Sequence, residues 1–280
     1  MSAPATLPRR PKGFMFDLDG TLILSNRALG SYKAIPGARE ALEELDRLGI
    51  PWLALTNGSA YAAARQAPKL RDVGLPVPDK RLFTPNSVAA KVIRKRDYRS
   101  VLVLGTQGVT HALAELDVPC CIPGDAKASR ADAVYVAWHP DCTMEHIHIA
   151  CARVLDGAAF LTASDVPFFA TKEGRSFGYS CAINGAIARV TRREPEVTGK
   201  PSVHAMRFVA SRLGIAVSDV GVVGDDPVAE MQMAREAGAL AIAVTTGSTS
   251  KADWQAQPAE RSPGLVIEAI GDLVSATQLR

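Results

Sequence analysis

Residues 14–22 read Phe-Met-Phe-Asp-Leu-Asp-Gly-Thr-Leu, and this stretch decides the predicted fold. The apolar run from Gly13 to Phe16 is typical of a strand buried on both faces of a parallel sheet. Asp17 and Asp19 follow at the carboxyl end of that strand, where open α/β sheets bind their ligands. A turn alone would explain acids and glycine there. A pair of carboxylates at this position also suits attack on phosphorus, metal binding or proton transfer.

The rest of the chain alternates short apolar strands with helical segments, which predicts an α/β fold. Further strands are predicted at 51–55, 81–84, 100–105, 133–138, 159–163, 219–223, 240–244 and 265–269. Helices are predicted at 38–48, 60–73, 87–96, 203–213 and 228–237, with a loop over 23–34. Ser59 and Asn86 are expected to cap the helices that follow them.

The middle of the chain carries its own alternation of strands and helices, which indicates a separate α/β unit inserted into the first. We therefore predict a catalytic core from residues 1–86 and 195–280, and an inserted domain from residues 87–194.

Four polar clusters each end a predicted strand or begin a predicted helix. They are Asp17/Asp19, Thr56/Asn57, Lys200 and Asp225/Asp226. Because the strands of a parallel sheet end at one edge, these clusters are expected to converge in one crevice. Three acids around one site repel one another unless a divalent cation lies between them, and carboxylates with water suit Mg²⁺. Lys200 and Thr56 add a positive charge and a hydroxyl, which suit phosphate oxygens.

These clusters, in this order and spacing, resemble the four motifs of the haloacid dehalogenase (HAD) superfamily of phosphohydrolases. The matching stretches are Asp17-Leu-Asp19-Gly-Thr, Thr56-Asn-Gly-Ser, Gly199-Lys200-Pro-Ser and Gly224-Asp225-Asp226. The second and third are similar to subfamily IIA, which holds NagD-type, p-nitrophenyl phosphatase-like, phosphoglycolate and pyridoxal phosphatases. The resemblance implies a Rossmann-like core with a parallel sheet, and an inserted α/β C2-type cap domain.

The resemblance also implies a role for each motif. Asp17 would be the nucleophile that takes the phosphoryl group, and Asp19 would protonate the leaving group and then activate water. Thr56, Asn57 and Lys200 would bind the transferring phosphoryl group.

The implied cofactor is Mg²⁺, bound by Asp17, by the main-chain carbonyl of Asp19 and by Asp225. The sequence departs from the family at one point. The family usually has a second Asp about five residues after the first acid of motif four, and here Glu230 stands there. Asp226 competes with Glu230 for that role, so the sequence leaves the choice between them open.

The loop before the return to the core supplies candidate substrate-specificity residues: Asp165, Phe168, Phe169 and Arg175. The two Phe side chains could form an apolar wall or stack on a ring, and Arg175 could bind an anion. The alternative is that both Phe side chains fill the core of the cap and Arg175 is solvated. The substrate is expected to be a small phosphorylated metabolite, which the loop does not identify.

The composition of the chain indicates which classes of partner and which cellular compartment to expect. The net charge is +3, and no basic stripe with interleaved aromatics predicts nucleic-acid binding. No apolar run approaches the ~20 residues of a membrane span. An odd number of cysteines, five, and the adjacent pair Cys120–Cys121 favour reduced thiols in a cytoplasm. Residues 1–12 are expected to be a disordered leader. Similar proteins commonly form homo-oligomers through the cap, so the resemblance implies a possible homo-oligomer here.

One further group of potential metal ligands lies at residues 142–151. It consists of Cys142, His146, His148 and Cys151. On a helix that Thr143 caps, His146 and His148 point about 200° apart, so they cannot share one ligand face. We expect no metal site from this set.

The predicted function is that of a cytoplasmic Mg²⁺-dependent phosphomonoester hydrolase with an aspartyl-phosphate intermediate. One alternative is a phosphotransferase on the same fold. The other is a catalytically silent HAD-fold protein that binds a ligand or a partner. Intact acids at Asp17, Asp19 and Asp225 argue against the silent alternative, whereas the departure at Glu230 leaves it open.

Overall fold

The structure, a computed structural model, describes residues 7–26, 31–171 and 174–279, without the side chains of residues 169–171, 174 and 175. Its first part contributes eight helices and strands. They are β1 (Gly13–Phe16), β2 (Ile23–Ser25), β3 (Tyr32–Ala34), α1 (Ala38–Arg47), β4 (Trp52–Leu55), α2 (Ala63–Asp72), β5 (Leu82–Phe83) and α3 (Pro85–Lys95). The buried residues of α1 recur at helical spacing, and Gly49 follows the helix in the left-handed conformation that ends it.

The middle part supplies the inserted unit. Its elements are β6 (Val101–Leu104), α4 (Gln107–Ala114), β7 (Cys120–Cys121), β8 (Ala133–Val136), α5 (Met144–Leu155), β9 (Ala159–Thr162), β10 (Phe168–Thr171), β11 (Gly174–Phe177), α6 (Tyr179–Thr191) and β12 (Glu196–Val197). Within the described residues, a parallel sheet in the order β12-β9-β8-β6-β7 forms its centre, and β10 and β11 form an antiparallel hairpin.

The last part returns to the core. Its elements are α7 (Val203–Leu213), β13 (Val220–Gly224), a π-helical segment (Pro227–Gln232), α8 (Met233–Ala237), β14 (Leu240–Val244), α9 (Lys251–Gln255), β15 (Leu265–Ile267) and α10 (Leu273–Ala276). The core sheet has the order β15-β14-β13-β1-β4-β5, and every neighbouring pair is parallel. The predicted α/β class with a parallel sheet and an inserted α/β unit is confirmed.

The residues of β1 explain why this strand lies inside the core sheet. Phe14 and Phe16 pack into one hydrophobic cluster and Met15 into the cluster on the opposite face, and all three are fully buried. A strand that is apolar on both faces needs cover on both, and the helices on either side of the sheet provide it. Asp17 therefore lies at the carboxyl end of a buried inner strand of the sheet.

Two predictions about local structure are wrong near the site. The predicted loop 23–34 contains β2 and β3, which pair antiparallel; residues 27–30 lie outside the described residues. Three-residue strands are too short to leave a clear periodic pattern in the sequence. The predicted single helix 228–237 is divided into the π-helical segment and α8.

The two helix caps predicted at Ser59 and Asn86 are also wrong. Helix α2 begins at Ala63, and the Ser59 hydroxyl instead accepts a hydrogen bond from the Trp138 amide in the inserted unit at 3.0 Å. Helix α3 begins at Pro85 behind Thr84, which forms a reciprocal capping box with Ser87. The Asn86 side chain is buried; its amide donates to the Ser59 carbonyl, and its oxygen accepts from the Tyr135 hydroxyl. Ser59 and Asn86 thus join the two units.

The first described residues, next to the amino terminus, contact the core. Arg9 donates to the Ser218 carbonyl at 2.9 Å and Lys12 pairs with Asp219 at 2.8 Å, so this part of the predicted leader contacts the core. The rest of that leader, residues 1–6, lies outside the described residues. None of the helices in the described part of the chain has the length and apolar character needed to span a bilayer.

We propose the division into a core (1–86 and 195–280) and a cap (87–194) as the domain assignment. Strand β12 pairs with β9 of the cap sheet, so the hydrogen bonding of that sheet continues slightly beyond residue 194.

Candidate active site

One crevice collects the polar clusters at the carboxyl edge of the core sheet. It contains about 790 Å³ of empty space, part of it open to solvent. The predicted core-site residues that line it are Asp17, Asp19, Thr56, Asn57, Lys200, Asp225, Asp226 and Glu230. The parallel strands bring these side chains together from positions that are far apart in the sequence.

Lys200 is the buried cation of the crevice. Its side chain is 1% exposed, and its Nζ donates to Asp17 Oδ1 and, at 2.7 Å, to Glu230 Oε1. Burial alone would lower the pKa of Lys200, but the two carboxylates together raise that pKa above its ordinary value. Lys200 therefore remains positively charged and fixes the position of the Asp17 carboxylate.

Three acids lie against one another beside this lysine. Asp17, Asp225 and Glu230 each offer a carboxylate oxygen, and these oxygens lie within 4.8 Å of one another in a buried setting. Burial, together with the charge of Asp17, raises the pKa of Asp225 to about 7. Burial is also the main reason that the pKa of Glu230 lies well above its ordinary value, although Lys200 opposes the shift. A divalent cation would relieve this repulsion, and the all-oxygen donor set suits Mg²⁺.

The backbone packs closely around the Asp225 carboxylate. A Cβ atom placed on Gly20 or on Gly247 would overlap with Asp225 Oδ2, so both positions accept only glycine in this arrangement. Gly20 also has φ +94°, a conformation that other residues rarely adopt. The Ser248 amide donates to the same oxygen at 2.6 Å. Asp225 is thus held in a fitted cradle, as a metal ligand requires.

The two candidates for the second acid of motif four have different contacts. Asp226 Oδ1 accepts hydrogen bonds from the amides of Val228 and Ala229 at 2.7 and 2.8 Å, which caps the π-helical segment. Glu230 lies one turn later and turns back toward Asp17 and Lys200. The Glu230 carboxylate therefore faces the other acids. The Asp226 carboxylate is instead bound to the first amides of the π-helical segment.

Asp19 is held apart from the other acids by the β2 strand. The Ser25 amide donates to Asp19 Oδ1 at 3.0 Å. Burial is the largest cause that raises the pKa of Asp19 to about 7; the nearby charge of Asp17 adds to this shift, whereas the Ser25 hydrogen bonds oppose it. A carboxyl group with this pKa holds a proton in an appreciable fraction of molecules at neutral pH, as a general acid must.

The side chains of the second motif bind the backbone of neighbouring residues. Asn57 clamps Lys200: its Oδ1 accepts from the Lys200 amide at 2.9 Å, and its Nδ2 donates to the Lys200 carbonyl at 2.8 Å. The Thr56 hydroxyl accepts from the Gly58 amide at 2.9 Å. The Asn57 side chain is therefore committed to positioning the main chain of Lys200.

The predicted cap residues occupy different environments. Phe168 is half exposed and lines the crevice. Asp165 accepts from the Asn184 amide at 2.8 Å, which ties it to α6. Phe169 and Arg175 belong to the backbone of the β10–β11 hairpin, but their side chains lie outside the described residues.

An aromatic wall of the crevice was missed in the sequence analysis. Trp138 and Tyr179 both line the crevice, with ring centroids 4.7 Å apart in an edge-to-face arrangement, and Phe177 packs against Tyr179 at 4.8 Å. Trp138 ends a predicted strand and Tyr179 begins α6. The signal that could have found Trp138 is its place at the end of a parallel strand, as for the acids of the core.

The comparisons with known proteins agree with this geometry. The model for haloacid dehalogenase-like hydrolases matches residues 14–119, and the HAD-hydrolase-like model matches residues 197–273. The chain is 28% identical to 5'-nucleotidase YutF of Bacillus subtilis, over 86% of this chain and 89% of the relative. It is 25% identical to sugar-phosphatase AraL of the same organism, over 97% and 95% of the two chains.

A solved structure gives the same result for the whole fold. The p-nitrophenyl phosphatase from Archaeoglobus fulgidus superposes with a TM-score of 0.83 at 25% identity, and the match covers 96% of this chain and 100% of that chain. A sheet that ends in paired carboxylates, with a lysine and further acids, suits phosphoryl transfer, which depends on positioning and on stabilisation of charge. The chain belongs to the haloacid dehalogenase-like hydrolases, among the phosphatases of subfamily IIA. The predicted family and the predicted enzyme class are confirmed.

Proposed function

We propose that this phosphatase hydrolyses a small phosphorylated metabolite, depends on Mg²⁺ and forms an aspartyl-phosphate on Asp17. The observation that carries the proposal is the position of Asp17. Its carboxylate lies at the end of β1, against the lysine cation and beside two further acids. Asp19, two residues later, has a pKa raised to about 7. A nucleophile and a separate proton donor therefore share one crevice.

The first step is transfer of the phosphoryl group to the protein. An oxygen of the Asp17 carboxylate attacks phosphorus, the bond between phosphorus and the ester oxygen breaks, and the Asp19 proton passes to that oxygen. The alcohol leaves, and Asp17 carries the phosphoryl group as a mixed anhydride. Lys200 binds a phosphoryl oxygen and stabilises the negative charge that spreads over it.

The second step returns the enzyme to its starting state. The Asp19 carboxylate, which lost its proton in the first step, accepts a proton from water. The water oxygen attacks phosphorus, the bond to the Asp17 carboxylate breaks, and inorganic phosphate leaves. The Ser25 amide holds the Asp19 carboxylate in place in both steps. The same residue thus serves as acid and then as base.

Asp17, Asp225 and Glu230, with the main-chain carbonyl of Asp19, are the residues that would hold Mg²⁺. When bound, the ion supplies positive charge that offsets the repulsion between these carboxylates and an anionic ester. The three carboxylates are buried and close together, which fits this donor set. Asp226 would contribute to the metal site indirectly, because it caps the π-helical segment that carries Glu230.

The organic part of the substrate is proposed to lie against Trp138, Phe168 and Tyr179. This wall is largely aromatic, so it suits a flat or apolar group better than a strongly charged one. Asp165, Phe169 and Arg175 are further candidate specificity residues. Relatives are named for nucleotides, sugar phosphates and p-nitrophenyl phosphate, which sets the range of esters to be tested.

We infer that the enzyme works in the cytoplasm on a free metabolite, without nucleic acid or membrane as partner. A homo-oligomer formed through the cap is also proposed. Transfer to an acceptor other than water is the second candidate reaction, because Asp19 could equally activate an alcohol. Phosphate release measured beside the yield of any new ester distinguishes hydrolysis from transfer.

The proposed function predicts metal-dependent turnover. With Mg²⁺, the protein is expected to release phosphate from at least one ester among nucleoside monophosphates, sugar phosphates, glycerol phosphate, phosphoglycolate, pyridoxal phosphate and p-nitrophenyl phosphate. Because the ion contributes several kcal/mol to a transition state of this kind, EDTA should lower the rate at least about 100-fold, and added Mg²⁺ should restore it. Binding of esters without release of phosphate by a folded, Mg²⁺-loaded protein would support the silent alternative.

The position of Glu230 predicts a graded effect on Mg²⁺. Glu230→Gln is expected to raise the Mg²⁺ concentration for half-maximal activity about 10- to 100-fold, because the cluster loses a carboxylate. Glu230→Asp, which restores the residue usual in the family, keeps the charge and should change it less. Asp226→Asn is the neighbouring control, since that carboxylate caps the helix. An unchanged Mg²⁺ dependence in Glu230→Gln would remove Glu230 from the metal set.

A further inference from the structure

Three side chains of metal-binding type lie together in the cap, separate from the acids of the crevice. They are His139, Cys142 and His146. One ligand atom of each lies within 4.8 Å of the ligand atoms of the other two. His139 Nε2 and His146 Nδ1 are 3.1 Å apart, and all three residues are partly accessible to solvent.

The start of α5 creates this arrangement. The Thr143 hydroxyl accepts from the His146 amide at 3.2 Å, and the Thr143 amide donates to His146 Nδ1 at 3.3 Å. This reciprocal cap turns the His146 ring back toward the loop that precedes the helix. Cys142 and His139 lie on that loop, so the spacing His-x2-Cys-x3-His forms a ligand group within a short piece of chain.

The sequence pattern predicted no metal site from a different set, Cys142, His146, His148 and Cys151. That expectation rested on His146 and His148, which point apart on the helix, and His148 is exposed in the structure. His139 precedes the helix, so helical spacing gives no information about its distance from His146. The third ligand therefore comes from the loop after β8.

The donor atoms match zinc better than magnesium. Two imidazole nitrogens and a thiolate are the ligands that Zn²⁺ and Co²⁺ prefer, whereas Mg²⁺ prefers oxygen. With Zn–N bonds of about 2.0–2.1 Å, two nitrogens on one tetrahedral ion are about 3.3 Å apart, close to the separation of His139 Nε2 and His146 Nδ1.

The ring nitrogens of the histidine pair have unequal numbers of partners. His146 Nδ1 already accepts from the Thr143 amide, and the His139 ring adds a second contact to the same nitrogen. His139 Nδ1 is buried and has no hydrogen-bond partner among the described residues. The contact with His146 uses Nε2, so a metal bound by His139 Nε2 and His146 Nδ1 would replace the contact between these two nitrogens, and Nδ1 of His139 would remain outside the ligand set.

We propose that His139, Cys142 and His146 bind one divalent cation such as Zn²⁺ or Co²⁺, with solvent as the fourth ligand. Binding releases the Cys142 thiol proton to solvent, and the nitrogen of each histidine that faces the ion carries no proton. His139 directly follows Trp138, which lines the crevice. A bound ion would therefore hold the loop next to the aromatic wall and stabilise the cap.

Cobalt is the probe, because a thiolate ligand gives Co²⁺ an intense near-ultraviolet charge-transfer band that carboxylates do not give. The reduced, metal-stripped protein is titrated with Co²⁺ in excess Mg²⁺, which occupies the carboxylate cluster. We expect a band that saturates at one equivalent and disappears when Zn²⁺ is added. Cys142→Ser should abolish the band, and His146→Ala should weaken Co²⁺ binding at least about 10-fold. His148→Ala, on the exposed position of the same helix, should leave both unchanged.

Far-ultraviolet circular dichroism of each variant without metal shows whether it is folded. Zn²⁺ should raise the melting temperature of the parent and of His148→Ala, but not that of Cys142→Ser, since only a bound ion stabilises the native state. A folded parent without the cobalt band, or a band that persists in Cys142→Ser, would overturn the proposal. The proposed phosphatase activity is measured separately and can fail without affecting this result.

Discussion

Asp17→Asn is expected to lower phosphate release at least about 1,000-fold while the protein stays folded. The amide has nearly the shape of the carboxylate but is a very poor nucleophile. The substitution also removes one negative charge from a cluster in which burial and mutual repulsion already raise the pKa of Asp225 and of Glu230. The native state therefore loses a catalytic group without losing packing, and its unfolding temperature should fall little.

Initial rates with the preferred ester test this prediction, and Asp226→Asn is the matched control. Asp226 lies in the same crevice and the chemical change is identical, yet its carboxylate caps a helix. Its activity should stay within about 10-fold of the parent, with little loss of stability, because Asn keeps the accepting oxygen and caps a helix about as well as Asp does. Rapid acid quenching with a labelled ester should trap phosphoprotein in the parent and none in Asp17→Asn. Labelled phosphoprotein in Asp17→Asn would move the nucleophile to another residue.

The parts of the fold that the sequence predicted are those with a strong local pattern. Strand β1 occupies the predicted residues, since four consecutive apolar residues before an acid leave little choice. Helix α7 was also placed correctly, between the Ser202 cap and Gly214. The core residues of the site could be placed in one crevice because a parallel sheet brings its strand ends together.

Two of the predictions that failed, the helix caps at Ser59 and Asn86, depended on contacts between distant parts of the chain. Ser59 and Asn86 have the composition of helix caps, but their partners lie in the cap domain, where sequence periodicity gives no information. Glu230 and Asp226 could not be ranked from the sequence because both are acids near one strand end. Only the path of the π-helical segment separates them: it turns Glu230 inward and leaves Asp226 as its cap.

Lys200→Met is expected to destabilise the metal-free protein by about 3–5 kcal/mol and to reduce activity at least about 100-fold. Met has a similar volume, so the change removes the charge more than the packing. Asp17 and Glu230 both lose their ion pair with the buried ammonium group. Their carboxylates then have to take up protons or remain as uncompensated buried charges, and either outcome costs stability.

Urea unfolding with EDTA and with Mg²⁺ measures this cost, and Lys95→Met, an exposed position on α3, is the control. The control should shift the free energy of unfolding by no more than about 0.5 kcal/mol. Mg²⁺ should stabilise Lys200→Met more than it stabilises the parent, because a divalent cation replaces part of the lost positive charge within the same group of carboxylates. Activity should not return, since Lys200 is the one basic side chain among the described residues that line the crevice. If Mg²⁺ stabilised both proteins equally, the lysine and the metal would act on separate sets of carboxylates, and the proposed ligand set would be wrong.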